Sequence, residues 1–441
     1  MKKVLILAYD FPPYVSVGGL RPFNWMKYLN DFEVHPILIT RQWNNKNGNV
    51  LDYISASETN QTIVEKTEQY TLHKTPYFPN LSNRLFQRYG ESKFRIFRKL
   101  ISVNYQFFQY VFPIGPQIEL YKEARNYLKN NKVDAIIATG EPFSLFKYAS
   151  KLSDEFGIPW IADYRDPWSQ SFTYENKKFM RFWNRYFEKK YVKNARLITT
   201  VDDLFKSKIT KLFPNKELSI LTNGYDPESM KQIENIQQQS ESFNISFVGT
   251  IYNWHPVRSF LTTYSKFIEG QNGPKAKLIF YGINNEDFIT SIVENELPNL
   301  KAHVEIVPKL QNKTLLEELA KNNACLLFNY YSFTGTKIYD YLGIRRKIIF
   351  CYSNDAEAKE LKQKYFFNQD PSFENITPQI DIIKETKSGE IVENSDHLLS
   401  VLNEMYQVFF TTGKIACDSL DVDRFSRKRQ VEKLAKIVSS F

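Results

Sequence analysis

Val4-Leu5-Ile6-Leu7-Ala8 runs directly into Tyr9-Asp10-Phe11-Pro12-Pro13-Tyr14 and, four residues on, Gly18-Gly19-Leu20-Arg21-Pro22. Five consecutive apolar residues without alternation describe a strand buried on both faces, the environment of a parallel sheet covered by helices. The polar and proline residues end the strand, and Leu20–Leu29 reads as the helix that follows. Met1-Lys2-Lys3 before so short an apolar run resembles a secretory leader only superficially, because the run is too short for an h-region. A buried first strand is expected instead.

Runs of the same kind recur at Ile37–Thr40, Ala135–Thr139, Trp160–Ala162 and Leu197–Val201. After a gap they resume at Ile245–Val248, Leu278–Tyr281, Val304–Val307, Cys325–Phe328 and Ile348–Tyr352. Between them Gln117–Asn130, Phe143–Phe156, Val257–Glu269 and Leu315–Ala320 carry apolar residues at helical spacing. Strand alternating with helix is the doubly wound α/β pattern. The two series are separated by Pro227–Ser242, whose Gln237-Gln238-Gln239-Ser240 reads as a polar linker with little to bury. The expected organisation is therefore α/β, with two doubly wound Rossmann-like domains at residues 1–226 and 227–420. Facing each other, they would form a ligand cleft at the carboxyl ends of both sheets.

The chain has 441 residues, 42% of them hydrophobic and 24% charged, which excludes a disordered, collagen-like or coiled-coil chain. Three widely spaced cysteines and five scattered histidines give neither a disulfide framework nor metal-ligand spacing, so a reducing compartment and no metal are expected. No apolar stretch is long enough to span a bilayer. The net charge of +9 is uneven: residues 1–225 carry +12, residues 226–420 carry −6, and residues 421–441 carry +3. A basic first half suggests that this part meets an anionic surface.

Three constellations carry possible chemistry. Gly18-Gly19 lets backbone approach a ligand, and the N–H groups of the helix that follows suit an anion, although a plain glycine turn has the same pattern. In Ile158–Trp168 a buried strand runs out into Asp163, Arg165, Asp166 and Trp168. That is a ligand position in a doubly wound sheet, or else an Arg–Asp structural pair with Trp168 as a core anchor. In Gly335-Thr336-Lys337-Ile338-Tyr339-Asp340 a helix N-terminus with Lys337 suits a diphosphate. Asp340, at i+3, is placed to accept ribose hydroxyls or to pair with Lys337 on the surface.

In order and spacing these pieces resemble a GT-B fold glycosyltransferase of the large retaining family four. Ala138–Ser144 and Asp163–Trp168 resemble a bacterial branch common in surface-polysaccharide synthesis. Thr222–Asp226 resembles the Asn-Gly-x-Asp of the family's interdomain linker, and Phe247–Thr250 resembles the glycine turn that opens its donor domain. Lys337–Leu342 resembles its nucleotide-sugar-binding Lys-Leu-x-Glu-Tyr-Leu segment. There are departures. The first acid of the family's Glu-x7-Glu pair falls on Ser332, with Asp340 as the second. The usual Arg and Lys of the diphosphate clamp fall on Thr250 and His255, and the usual His falls on Arg165.

The resemblance implies a hexosyltransferase-like enzyme moving a sugar from a nucleotide diphosphate donor with retention, without a protein nucleophile. Gly249, Thr250, Arg258, Gly335, Thr336, Lys337 and Asp340 would hold the donor. Lys337, Arg258 or Arg21 would supply the missing positive charge. Asp166, Arg165 and the Gly18–Gly19 loop would position the acceptor. In GT-B enzymes the last helix crosses back to the N-terminal domain, and Val422–Val438, capped by Asp421 or Asp423, has the spacing for it within residues 421–441.

Arg84–Lys99 and Lys177–Arg196 are both basic and rich in aromatics. Such amphipathic segments lie in anionic bilayer interfaces, or pack their aromatics inward and leave their charges solvated. Nothing else reads as a nucleic-acid module. The expected protein is cytoplasmic and peripheral at the inner face of the membrane. It takes a nucleotide sugar and a glycan or lipid-linked acceptor. The rivals are a nucleotide-sugar epimerase and a non-catalytic GT-B scaffold or sugar sensor.

Overall fold

The computed structural model describes residues 1–14, 16–44, 50–171, 178–271, 274–331, 333–366, 371–373 and 376–441. The chain divides into two compact units, Met1–Thr222 together with Arg427–Phe441, and Asn223–Ser426.

Unit 1 holds β1 (Lys2–Leu7), β2 (Val34–Arg41), β3 (Ile63–Lys66), β4 (Thr71–Thr75), β5 (Ala135–Gly140), β6 (Trp160–Tyr164), β7 (Leu197–Thr200) and β8 (Leu218–Ile220). They form one sheet in the order β3-β4-β2-β1-β5-β6-β7-β8, parallel except for β3 against β4. Val4 to Leu7 have no solvent exposure, as an unbroken apolar run requires when helices cover both faces. Leu7 pairs with Ile39 on one side and Ala138 on the other. The winding direction changes between β1 and β5, so the residues leaving the carboxyl ends of β1, β5 and β6 converge on a switch point.

Unit 2 holds β9 (Phe243–Val248), β10 (Ala276–Tyr281), β11 (Val304–Val307), β12 (Ala324–Phe328), β13 (Lys347–Cys351) and β14 (Gly389–Val392). Its sheet is all parallel, in the order β11-β10-β9-β12-β13-β14. Alternate residues of β12 join different cores: Ala324, Leu326 and Phe328 on one face, Cys325 and Leu327 on the other. The switch point lies between β9 and β12.

Two expectations are corrected. The segment after Pro227 is not a loose linker. Asp226 caps a short helix, Pro227–Lys231, and Met230 and Ile233 are buried in unit 2. The Gln238 amide donates to the Ile415 carbonyl (2.7 Å) and accepts from the Ile415 N–H (2.8 Å), so a polar residue is held by the backbone. The last helix also starts later than its spacing suggested. Val422–Phe425 forms a 3₁₀ turn, Asp421 sits at φ +48° without a side-chain cap bond, and the α-helix runs Arg427–Ser439.

That helix packs on the helix Val17–Tyr28 and on β1 and β2 of unit 1. Val431, Leu434, Ala435 and Val438 are each at most 2% exposed. The three larger side chains bury about 5–9 kcal/mol of apolar transfer free energy, comparable with the whole stability of a domain. Ending the chain after Ser426 is therefore expected to leave unit 1 unfolded or aggregated. A truncated protein with an unchanged melting curve would show that this packing is dispensable.

Candidate functional site

In unit 1, Arg165 and Asp166 leave the carboxyl end of β6 side by side, with Arg165 Nε 3.2 Å from Asp166 Oδ2. The Arg165 guanidinium lies against Gly18: a Cβ there would fall 1.7 Å from Nη1. A larger residue there would push the guanidinium aside. Gly19 is pressed onto the Phe11 backbone, where a Cβ would sit at 3.2 Å. Ser16 caps the helix Val17–Tyr28 by accepting from the Gly18 N–H (3.0 Å), and its hydroxyl donates to Asp10 (2.8 Å). Asp10 follows β1 and Glu141 follows β5. Burial raises the Asp10 carboxyl above its usual range, against the Ser16 hydrogen bond and the Arg165 charge. Burial and then the Asp166 charge raise Glu141, opposed by Arg165. Asp10, Glu141 and Arg165 line a cavity of about 370 Å³, together with Gln106, Gln109 and Asn184. Sequence reasoning assigned no role to Asp10 or Glu141. Their place directly after apolar runs of the same sheet is the signal that finds them.

Arg21 is not part of this cluster. Its guanidinium is buried against Asp163, at 2.7 Å from Nη2 to Oδ1, and Nη1 donates to the Leu221 carbonyl at 2.7 Å. Asp163 also accepts from the Thr139 and Thr199 hydroxyls at 2.8 and 2.7 Å. The guanidinium is thus buried and held by a carboxylate and backbone carbonyls, a structural Arg–Asp pair rather than the phosphate contact expected of Arg21. The loop after β6 is pinned by the fully buried Glu188, which accepts from the Tyr164 hydroxyl and the Ser169 N–H. Trp168 stacks flat on Phe143 with centroids 5.0 Å apart, so it is an anchor of the core.

In unit 2, Gly249 follows β9 at φ +94°, a conformation that favours glycine, and a Cβ on it would meet Lys337 Cε at 3.8 Å. Lys337 opens the helix Lys337–Ile344, and its Nζ lies 3.4 Å from Asp340 Oδ2. Both side chains stay partly open to solvent. Gly335, at φ +75°, passes under Tyr330, whose Cε2 would be 2.4 Å from a Cβ. Thr336 stands at the helix N-cap without a side-chain cap bond. Gly249, Lys337 and Asp340 thus share one corner of the switch point, on the helix that Gly335 and Thr336 introduce.

Arg258, assigned to the donor site from the sequence, is half-exposed on the helix Val257–Gly270 and paired with Glu296. Thr250 is exposed. His255 cannot replace a clamp lysine, because burial pushes its pKa down to about 3 and it is neutral. Its Nδ1 accepts from the Tyr252 N–H (3.3 Å), and its ring stacks on Tyr330 at 5.4 Å. Ser332 lies outside the described residues. Beside this corner, beyond β12 and β13, a cavity of about 560 Å³ is lined by Asn329, Tyr331, Ser353, Lys362 and Gln379, among others. The Tyr330 N–H donates to Gln379 Oε1 (2.9 Å), and among the described residues the buried Nε2 has no hydrogen-bond partner. Nothing in the sequence singled out Gln379, because it sits at the start of the helix Pro378–Thr386, which only the fold brings to the residues after β12.

Comparison with protein families matches residues 65–229 to Glycosyltransferase Family 4. Comparison with curated proteins finds no match. Among solved structures, sucrose-phosphate synthase from Thermosynechococcus elongatus superposes with a TM-score of 0.59 at 12% identity, covering 100% of this chain and 99% of that one. HepE from Anabaena in complex with UDP gives 0.57 at 11%, with both chains fully covered. An α,α-trehalose-phosphate synthase (UDP-forming) from Burkholderia xenovorans, in complex with glucose-6-phosphate, gives 0.58 at 8%, again over both whole chains. At these identities the likeness shows the fold, the two doubly wound units of GT-B.

Proposed function

We propose that the protein is a retaining glycosyltransferase of family four. It would take a nucleotide diphosphate sugar as donor and a glycan or lipid-linked saccharide as acceptor, in bacterial surface-polysaccharide synthesis at the inner face of the cytoplasmic membrane. The observation that carries this reading is Lys337 lying beside the glycine turn of β9, with Asp340 one turn further along its helix. A fixed ammonium and a helix N-terminus neutralise a leaving diphosphate, and a carboxylate accepts ribose hydroxyls. In this reading the charge is supplied by Lys337 without a metal. The Gln379 amide, held by the Tyr330 N–H, would offer its free N–H to a carbonyl of the base.

In unit 1 the acceptor hydroxyl would lie in the cavity at Arg165, which with Asp166 orients it. Asp10 and Glu141, whose raised pKa values favour holding a proton, are the groups available to take the one it loses. The matched family and the three UDP- or sugar-phosphate-related neighbours support the reading.

Titration calorimetry with a panel of nucleoside diphosphates tests it. Binding is expected, and Asp340→Ala should weaken it by about 1.5–3 kcal/mol, roughly ten- to a hundred-fold in Kd, by removing charge-assisted hydrogen bonds. Failure to bind any nucleotide would favour the non-catalytic scaffold, for which the paired Arg258 and neutral His255 speak. A donor sugar epimerised without acceptor would make the protein an epimerase.

A further inference from the structure

We propose that unit 1 docks on an anionic lipid surface through the outer faces of the helices Arg95–Phe108 and Lys178–Val192. The acceptor reaching the cavity beside them is then the head group of an amphiphile held in that surface. The second half rests on the glycosyltransferase reading; the first does not.

The helix Arg95–Phe108 has 14 residues and none is buried. It nevertheless carries Ile96 at 78% exposure, Leu100 at 57%, and the exposed Val103. The spacing i, i+4, i+7 places these on one face, which a helix of a water-soluble domain turns inward. The helix Lys178–Val192 repeats the device with Phe179 at 65% and Phe182 at 69%, and Tyr186 exposed on the same face. The two helices are joined: Phe107 lies 5.6 Å from both Phe179 and Trp183, and the Trp183 indole donates to the Phe107 carbonyl at 3.1 Å. Their apolar faces therefore flank one seam.

Along the described residues 92–118 and 178–192 the exposed charge has one sign. From Ser92 to Ile118 there is no acidic residue, while Lys93, Arg95 and Lys99 are exposed. The only acid of the second helix, Glu188, is fully buried and hydrogen-bonded inward, leaving Lys178, Arg181, Arg185 and Lys189 outside. Aliphatic and aromatic side chains flanked by these cations, with Glu91 as an exposed acid just before the first helix, match the interface of a bilayer with anionic head groups. A nucleic acid has no use for the aliphatic stripe.

The inner sides of the same elements build the cavity. Gln106 and Gln109 come from the first, Met180 and Asn184 from the second, and they face Asp10, Glu141 and Arg165. Lys147 fixes the end of the first helix by donating to the Gln109 carbonyl at 2.7 Å and to that of Phe112. A polar chamber walled by lipid-facing helices suits a molecule with a polar head and an apolar tail.

The test is cosedimentation of the full chain with vesicles of phosphatidylcholine plus phosphatidylglycerol and with vesicles of phosphatidylcholine alone. Binding to the anionic vesicles at low salt is expected, with loss at about 0.5 M salt. The exposed double variant Ile96→Asp/Leu100→Asp should bind roughly ten-fold or more weakly with an unchanged melting curve. If the wild type stays in the supernatant at low salt, docking is overturned. Docking is equally overturned if the variant instead dissolves a wild-type dimer on gel filtration.

The acceptor half is read by turnover on a bacterial polar-lipid extract in vesicles against its deacylated, water-soluble head groups. Preference for the intact lipid, lost in the double variant, is expected. Equal use of both forms, or use of neither, overturns it. Calorimetry with nucleoside diphosphates on the same preparations separates the two failures: vesicle binding without nucleotide binding would sink the enzymatic reading and leave docking standing.

Discussion

Replacing Lys337 with Met should lower turnover by roughly 10²–10³, the scale of losing one preorganised stabiliser of developing charge. The methionine keeps the stem that rests beside Gly249 and removes only the ammonium. The size of the effect follows from how the other expected candidates are engaged. Arg21 is engaged by Asp163, Arg258 by Glu296, and His255 is buried and neutral. Substrate binding should weaken less than turnover falls, because the leaving diphosphate gains charge only as the sugar departs. Steady-state kinetics with the donor selected by calorimetry measures this. A folded variant with full turnover would remove Lys337 from the diphosphate and leave the proposed chemistry without its cation.

The largest stability effect is expected at Asp163. Asp163→Ala leaves the Arg21 guanidinium buried with only backbone carbonyls as partners, which should cost about 3–5 kcal/mol. It also strips the Thr139 and Thr199 hydroxyls of their acceptor. Urea unfolding of the variant measures the loss. The double variant Arg21→Met/Asp163→Leu should recover most of it, because replacing a buried ion pair by apolar residues of similar volume is often nearly neutral. Equal destabilisation in the single and double variants would show that the cost lies in packing rather than in an uncompensated charge.

The central strands were legible because a strand covered on both faces is largely apolar, and β1, β2, β5, β6, β7, β9, β10, β12 and β13 carry such runs, as does the edge strand β11. The remaining strands were not. In β4, Thr71, His73 and Thr75 are buried but polar, and the Nδ1 of His73 meets Glu123 of a distant helix at 2.8 Å. Nothing local in β4 announces that partner. The strands β3, β8 and β14 have three or four residues each, too few for periodicity to register.

The same divide runs through the site. Chain order alone identified the stretches that leave strand ends, because in a doubly wound sheet those stretches must meet at the switch point. It therefore marked Gly18, Arg165, Asp166 and Lys337, while Gly249 was found only through the resemblance to the glycosyltransferase glycine turn. What each charge does there was decided by the tertiary structure. Arg21 and Arg165 follow equally plausible motifs, yet one is buried against Asp163, 142 residues away, and the other stands in a cavity. An arginine's role is set by whether a carboxylate reaches it before a ligand can, and that distance exists only after the strands have paired. The amphipathic spacing of the helices Arg95–Phe108 and Lys178–Val192 is likewise written in the sequence. Whether their apolar faces meet protein or solvent depends on what the fold stacks against them, and among the described residues it leaves Ile96, Leu100, Phe179 and Phe182 uncovered.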